Sequence, residues 1–145
     1  MTVPAKLAEI RDDFRALDKQ NQLQLLLEFS GELPEGPERL QGDIDAMERV
    51  EECQSPVYIL TELDDDETVS VFATAPAEAP TTRGFASILV NGLSGERAET
   101  VLAVPGDFAQ SLGITETVSP LRIRGMTGML GRIQRQVREH LSARS

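Results

Sequence analysis

The chain has 145 residues with 40% apolar side chains, enough for one core and too few for two ordinary domains. Twenty-four Asp and Glu against fourteen Lys and Arg leave a net charge of −10, which repels phosphate backbones and anionic lipid; no Trp, five Phe and one Tyr offer little for bases to stack on. One Cys forms no internal disulfide, and one Cys with one His completes neither a zinc site nor a ligand set for an iron–sulfur cluster.

In chain order, Leu7, Ile10, Phe14 and Leu17 recur at helical spacing, and with Pro4 in the first turn they predict a helix over 4–19. Leu23, Leu26, Leu27 and Phe29 predict a second helix over about 21–30, stopped by Gly31. Two Pro and two Gly make 32–42 a loop, anchored by Leu33. A short strand is expected around Met47 and Val50, and a longer one over 57–63 (VYILTEL). Asp64, Asp65 and Asp66 make a solvated turn, and the alternating 68–73 (TVSVFA) returns as the other half of a hairpin.

After a Pro-rich connection at 75–80, Phe85, Ile88, Leu89 and Leu93 give a buried helix over about 81–92. Ser94 is expected to cap a short helix at 96–103, and Pro105-Gly106-Asp107 precedes another that ends by Gly113. The last helix, about 123–143, carries Met126, Met129, Leu130, Ile133, Val137 and Leu141, with His140 placed to meet the carbonyls of its own C-terminus. Gly125, Gly128 and Gly131 could line a close helix contact. The order of elements predicts one α+β domain over 1–145, a small three-stranded antiparallel sheet packed against helices on one face.

Charge is uneven along the chain. Residues 1–75 hold six basic and eighteen acidic side chains, whereas 76–145 hold six acidic and eight basic, all Arg. The plain reading is an acidic cytoplasmic protein kept soluble by its charge; the functional one is a polar molecule that docks on a protein partner in a preferred orientation. No apolar run reaches the ~18 residues that span a bilayer. The N-terminal MTVPAKLAEIRDDF is amphipathic rather than a signal peptide, so the cytoplasm is the expected location and no membrane partner is expected.

Few residues can carry chemistry. The single His lies near the C-terminus, no phosphate-binding glycine loop exists, and the acidic run at 64–67 lacks the spacing of a calcium loop. Cys53 remains, in the polar stretch Arg49-Val50-Glu51-Glu52-Cys53-Gln54-Ser55-Pro56, at the bend between two strands. A lone Cys is commonly a small buried hydrophobe. A loop-tip thiol with no resolving partner also keeps whatever it captures until another protein removes it. Glu51 and Glu52 should raise its pKa.

The segment Val50-x-x-Cys53-Gln54-Ser55-x-Val57-Tyr58-Ile59 resembles the active-site stretch of the SufE family, sulfur-accepting partners of cysteine desulfurases in iron–sulfur cluster assembly. Leu33-Pro34, Thr82-Arg83-Gly84-Phe85 and Ser119-Pro120-Leu121-Arg122-x-x-Gly125-Met126 resemble further family motifs in the same order, so the resemblance covers roughly 7–140. Three positions depart from it: Glu52 stands where Gly often precedes the Cys, Glu78 fills the place of an Asp, and Thr117-Val118 replaces His-Leu.

The resemblance implies a SufE/IscU-like fold and a sulfur carrier without cofactor or metal. Cys53 would take a persulfide sulfur from a PLP-dependent, SufS-like desulfurase, activate that enzyme, and pass the sulfur to a SufBCD-type scaffold, with no independent turnover. It implies partner-facing roles for Arg122, Arg83, Glu78, Gln54 and Ser55, and allows a homodimer. The alternative is a redox-sensing or adaptor protein that uses Cys53 as a switch. The carrier reading further suggests that Cys53 turns inward at rest, since an exposed persulfide would be lost to reductants.

Overall fold

A computed structural model describes residues 3–144. Helix α1 (Ala5–Arg15) buries Leu7 and Phe14. It ends before the expected residue 19 because Asp18 caps the next helix, its carboxylate accepting the Asn21 N–H at 2.9 Å. Helix α2 (Lys19–Gly31) buries Leu26 but leaves Leu23 and Leu27 exposed, so only part of its apolar set reaches the core. Leu33 is buried and anchors the following loop, as expected. That loop makes two 3-10 turns, Glu38–Leu40 and Ile44–Ala46, and lies partly across the sheet, where Arg39 pairs with Glu62 at 2.5 Å.

The sheet is antiparallel with strand order β1-β2-β3, formed by Glu48–Arg49, Tyr58–Leu63 and Val69–Thr74. Arg49 pairs with Tyr58, Tyr58 with Thr74 and Leu63 with Val69. The two-residue alternation turns Ile59, Thr61, Val69, Val71 and Ala73 inward. Asp64 tightens the hairpin by accepting the N–H groups of Asp66 and Thr68, both at 2.9 Å.

Strand β1 is two residues long, so β2 runs past its partner. Side chains of the last helix, α6 (Pro120–Ala143), continue the ladder. Gln136 Oε1 accepts the Thr61 N–H at 2.8 Å, His140 Nε2 lies 2.9 Å from the Thr61 carbonyl, and Arg144, just past the helix, donates to the carbonyls of Leu63 and Asp64. His140 therefore serves the sheet and not, as the sequence suggested, the end of its own helix. On the other edge, Ser94 Oγ accepts from Val71 N–H at 2.9 Å and donates to its carbonyl at 3.2 Å, while Val69 N–H donates to Glu96 and its carbonyl accepts from Gly95. Ser94 thus terminates the preceding helix and closes β3 instead of capping the next one.

Helix α3 (Pro80–Leu93) is buried along most of its length and is the centre of the packing. Gly84 lets it press on α2: a Cβ there would lie 2.6 Å from the Leu26 carbonyl oxygen. Two short helices follow, α4 (Ala98–Ala103) and α5 (Phe108–Ser111), the latter burying Phe108. Helix α6 starts at Pro120, three residues before the expected point. Ser119 accepts the Arg122 N–H at 3.3 Å and Pro120 fills the first turn, where no N–H is missed. Helices α3 and α6 pack against β3 and β2, giving the α+β arrangement expected.

Candidate functional site around Cys53

The site begins where β1 stops. Val50 N–H donates to the Val57 carbonyl at 2.9 Å, closing the neck of a loop over 51–56. Cys53 N–H then donates back to the Val50 carbonyl at 3.1 Å, a tight turn that folds the loop inward. Cys53 is buried, only 8% exposed, consistent with the inward orientation expected for it. It forms part of a pocket of about 160 Å³ whose wall includes Gln54, Ser55, Thr82, Ser119 and Arg122.

Helix α6 makes room for this turn through its glycines. A Cβ on Gly125 would stand 3.0 Å from Cys53 Sγ, and one on Gly128 would stand 2.7 Å from the carboxylate carbon of Glu52. Consecutive loop residues thus rest on glycines one turn apart on a single helix face. The close contact anticipated for these glycines exists, but at Gly125 and Gly128 it is with a loop and not with another helix; a Cβ on Gly131 would meet nothing within 4 Å.

Arg132, one turn beyond Gly128, reaches back over the loop. Its Nε donates to the Arg49 carbonyl at 3.1 Å and its Nη1 to the Gly128 carbonyl at 3.3 Å. The same Nη1 lies 2.6 Å from Glu52 Oε1, and Nε lies 3.5 Å from Glu48 Oε2. The guanidinium N–H bonds aim at the two carbonyls, so Glu52 Oε1 has a charge partner but no aligned donor.

The Cys53 thiol is pushed up to about 11. Burial is the main cause, the Glu52 carboxylate adds to it, and Arg132 and Arg49 oppose it. Of the two acids expected to act on the sulfur only Glu52 does so; Glu51 is exposed. At neutral pH the resting sulfur is therefore a covered thiol and a poor nucleophile.

Of the residues singled out from sequence, Cys53, Gln54, Ser55 and Arg122 meet at the pocket. Arg122 is exposed, and its guanidinium has no ion pair or hydrogen bond among the described residues. Arg83 lies outside the pocket wall: its Nε donates to the Ser30 carbonyl at 2.9 Å and its Nη1 to the Ala75 carbonyl at 2.7 Å, tying α2 and the end of β3 to α3. Glu78 is exposed just before α3 and is not in the pocket wall either. Sequence reasoning missed Thr82, Gly128 as a seat, and Arg132. Arg132 matters only through the register of α6 against a loop some eighty residues earlier, which no local pattern encodes. Among the described residues no three His, Cys, Asp or Glu side chains converge as metal ligands, and no helix is long and apolar enough to cross a membrane.

Comparison with known proteins bears on this geometry. Residues 8–137 match the family model SufE, described as an Fe-S metabolism associated domain. A SufE-like protein of Mycobacterium tuberculosis (strain ATCC 25618 / H37Rv) is 51% identical over 138 residues, 95% of each chain. The cysteine desulfuration protein SufE of Plasmodium vivax is 29% identical over 132 residues, 89% of this chain and 51% of that one. The solution structure of a hypothetical protein from Thermus thermophilus superposes with a TM-score of 0.84 at 38% identity, covering 97% of this chain and 99% of that one.

Proposed function

The chain belongs to the SufE family, and on that premise we propose that Cys53 accepts a sulfur atom from the persulfide of a PLP-dependent cysteine desulfurase and carries it toward iron–sulfur cluster assembly. The observation that carries this reading is the state of the thiol: the only one in the chain, covered in a polar-walled pocket on a loop that rests on glycines. A carrier needs that combination. One thiol holds a persulfide without discharging it as a disulfide, and a covered one keeps it from reductants.

The transfer balances as a thiol–disulfide-type exchange. Cys53 loses its proton to solvent as the loop leaves the pocket and its desolvation is relieved. The thiolate attacks the outer sulfur of the donor persulfide, a new S–S bond forms at Cys53, and the old S–S bond breaks. The donor cysteine departs as thiolate, now free for another cycle. No net oxidation occurs. That release is how a carrier activates a desulfurase without turnover of its own. Arg122, unpaired at the rim, would orient the donor or steady the anionic sulfur, with Gln54 and Ser55 beside it. Glu78 is free to face the partner, and Arg83 would act through the backbone it ties. A SufBCD-type scaffold in the cytoplasm is the destination this reading assigns.

A redox sensor would call for an accessible thiolate, and the covered, protonated Cys53 argues against it. The test is to mix the protein with a SufS-like desulfurase and cysteine and weigh it by mass spectrometry. Wild type should gain the mass of one or more sulfur atoms on Cys53 and raise desulfurase turnover, and Cys53→Ser should do neither. Sulfur retained stably by the mutant would overturn the assignment.

A further inference from the structure

We propose that Glu52 and Arg132 are positioning residues for Cys53: their ion pair, seated over Gly128, latches the 51–56 loop against α6 and sets how often the thiol is presented. The inference rests on the reading of Cys53 as the sulfur acceptor, but its test does not.

Arg132 holds the loop at two points. It grips the Arg49 carbonyl where the chain leaves β1 and the Glu52 carboxylate immediately before the sulfur. Its side chain is only 17% exposed, fixed by the helix beneath it, whereas Glu52 is 36% exposed and belongs to the loop. The rigid partner is therefore the helix and the movable one is the loop. Gly128 is what permits the closure, since any Cβ there would occupy the place of the carboxylate. The contact between Glu52 Oε1 and Arg132 lacks an aligned N–H, so charge attraction holds it more than a directed hydrogen bond does. The pair is mostly covered, with Glu52 Oε1 itself buried, but Glu52 keeps a solvent-facing side through which salt weakens the attraction, which suits a latch and not a lock.

The two residues act on the sulfur in opposite electrical senses, because Glu52 disfavours the thiolate and Arg132 favours it. Mechanically they act in the same sense, because loss of either opens the latch. Purely electrostatic neighbours would move thiol reactivity in opposite directions and leave the loop alone. Latch residues must loosen the loop together.

The experiment is backbone hydrogen exchange on the full chain, comparing wild type with Glu52→Gln, Arg132→Gln and, as a control on an exposed neighbour, Glu51→Gln. Amides of 51–55 should exchange about fivefold faster in Glu52→Gln, the factor expected for losing one partly exposed ion pair, and at least as much faster in Arg132→Gln, which also gives up the Arg49 carbonyl and Glu48. Amides of α3 should be unchanged, and Glu51→Gln should match wild type. Alkylation at pH 8 should rise more in Glu52→Gln than in Arg132→Gln, since only the first also favours the thiolate. In wild type, added salt should speed exchange of the same loop, a reading that needs no variant to fold. Unchanged loop exchange in either latch variant, a uniform rise across the chain, or a salt-insensitive wild-type loop would overturn the proposal. A protein that takes no sulfur from a desulfurase would refute the carrier reading and leave these exchange rates standing.

Discussion

Helices α3 and α6 use the same device at two places with different results. Each omits a side chain so that something else can come close. At Gly84 the neighbour is the Leu26 carbonyl, part of the backbone of another helix, held by its own hydrogen bonds. At Gly125 and Gly128 the neighbours are a sulfur and a carboxylate, side chains on a short loop. The first is a permanent joint in a close-packed core, where a displaced backbone drags a whole helix. The second is a seat that its occupant can leave. What distinguishes a structural glycine from a functional one here is thus how freely the facing atom can move.

The comparison breaks first, and hardest, at the joint. Gly84→Ala should cost about 3 kcal/mol, the upper end for overpacking, because backbone must give way. That corresponds to a melting temperature lower by roughly 6–12 °C in a domain of this size, readable by thermal denaturation. A variant as stable as wild type would show that α2 and α3 can slide apart.

At the seat the same one-carbon addition should be cheap for the fold and costly for concealment. Gly125→Ala should lose at most about 1 kcal/mol, since the loop can lift away, while alkylation of Cys53 at pH 8 rises about tenfold as the sulfur is displaced toward water. A large stability loss with unchanged alkylation would mean that the loop is as fixed as the core.

A finer probe is the pH dependence of that alkylation. In wild type the rate should climb toward a midpoint near 11, and in Gly125→Ala the midpoint should fall toward the ordinary thiol range, because burial is the largest cause of the shift. An unchanged midpoint would place the cause in the neighbouring charges.

A last effect, visible only at high pH, is on folding itself. The folded protein holds the Cys53 proton more tightly than the unfolded chain, whose thiol has a pKa of about 8.5. The stability due to this group is therefore complete below about 8.5 and is lost as pH rises through about 11. Denaturant titrations should show wild type losing ground to Cys53→Ser across that window, and parallel curves would refute it.

Much of the frame was legible in the sequence because it is written in local periodicity. The 3.6-residue stripe of α6 and the alternation in β3 each depend on neighbours a few residues away. Cys53 stood out by elimination and by motif, and the structure covers it in a pocket beside Arg122. What stayed hidden depends on long-range register. Ser94 carries a perfectly good capping side chain, but its hydroxyl is taken by Val71. His140 is claimed by Thr61 across the sheet edge. Arg132 looks like any helical surface arginine until α6 is laid beside the loop. Arg83 shows the converse: a basic residue in a recognisable motif, two of whose N–H donors are taken up by backbone carbonyls.

The closure of the sheet edges constrains how such a protein can meet others. Where Thr61, Val69 and Val71 would offer free backbone groups, Gln136, His140, Ser94 and the Gly95–Glu96 backbone have already occupied them. A visiting chain finds no template there to add itself as another strand, neither a second copy in a growing fibril nor a partner's extended peptide. Contacts made at these positions must then go through side chains, which come apart more readily than a strand ladder. The carrier role proposed for Cys53, in which the molecule leaves one protein to reach the next, would gain from that ease of parting.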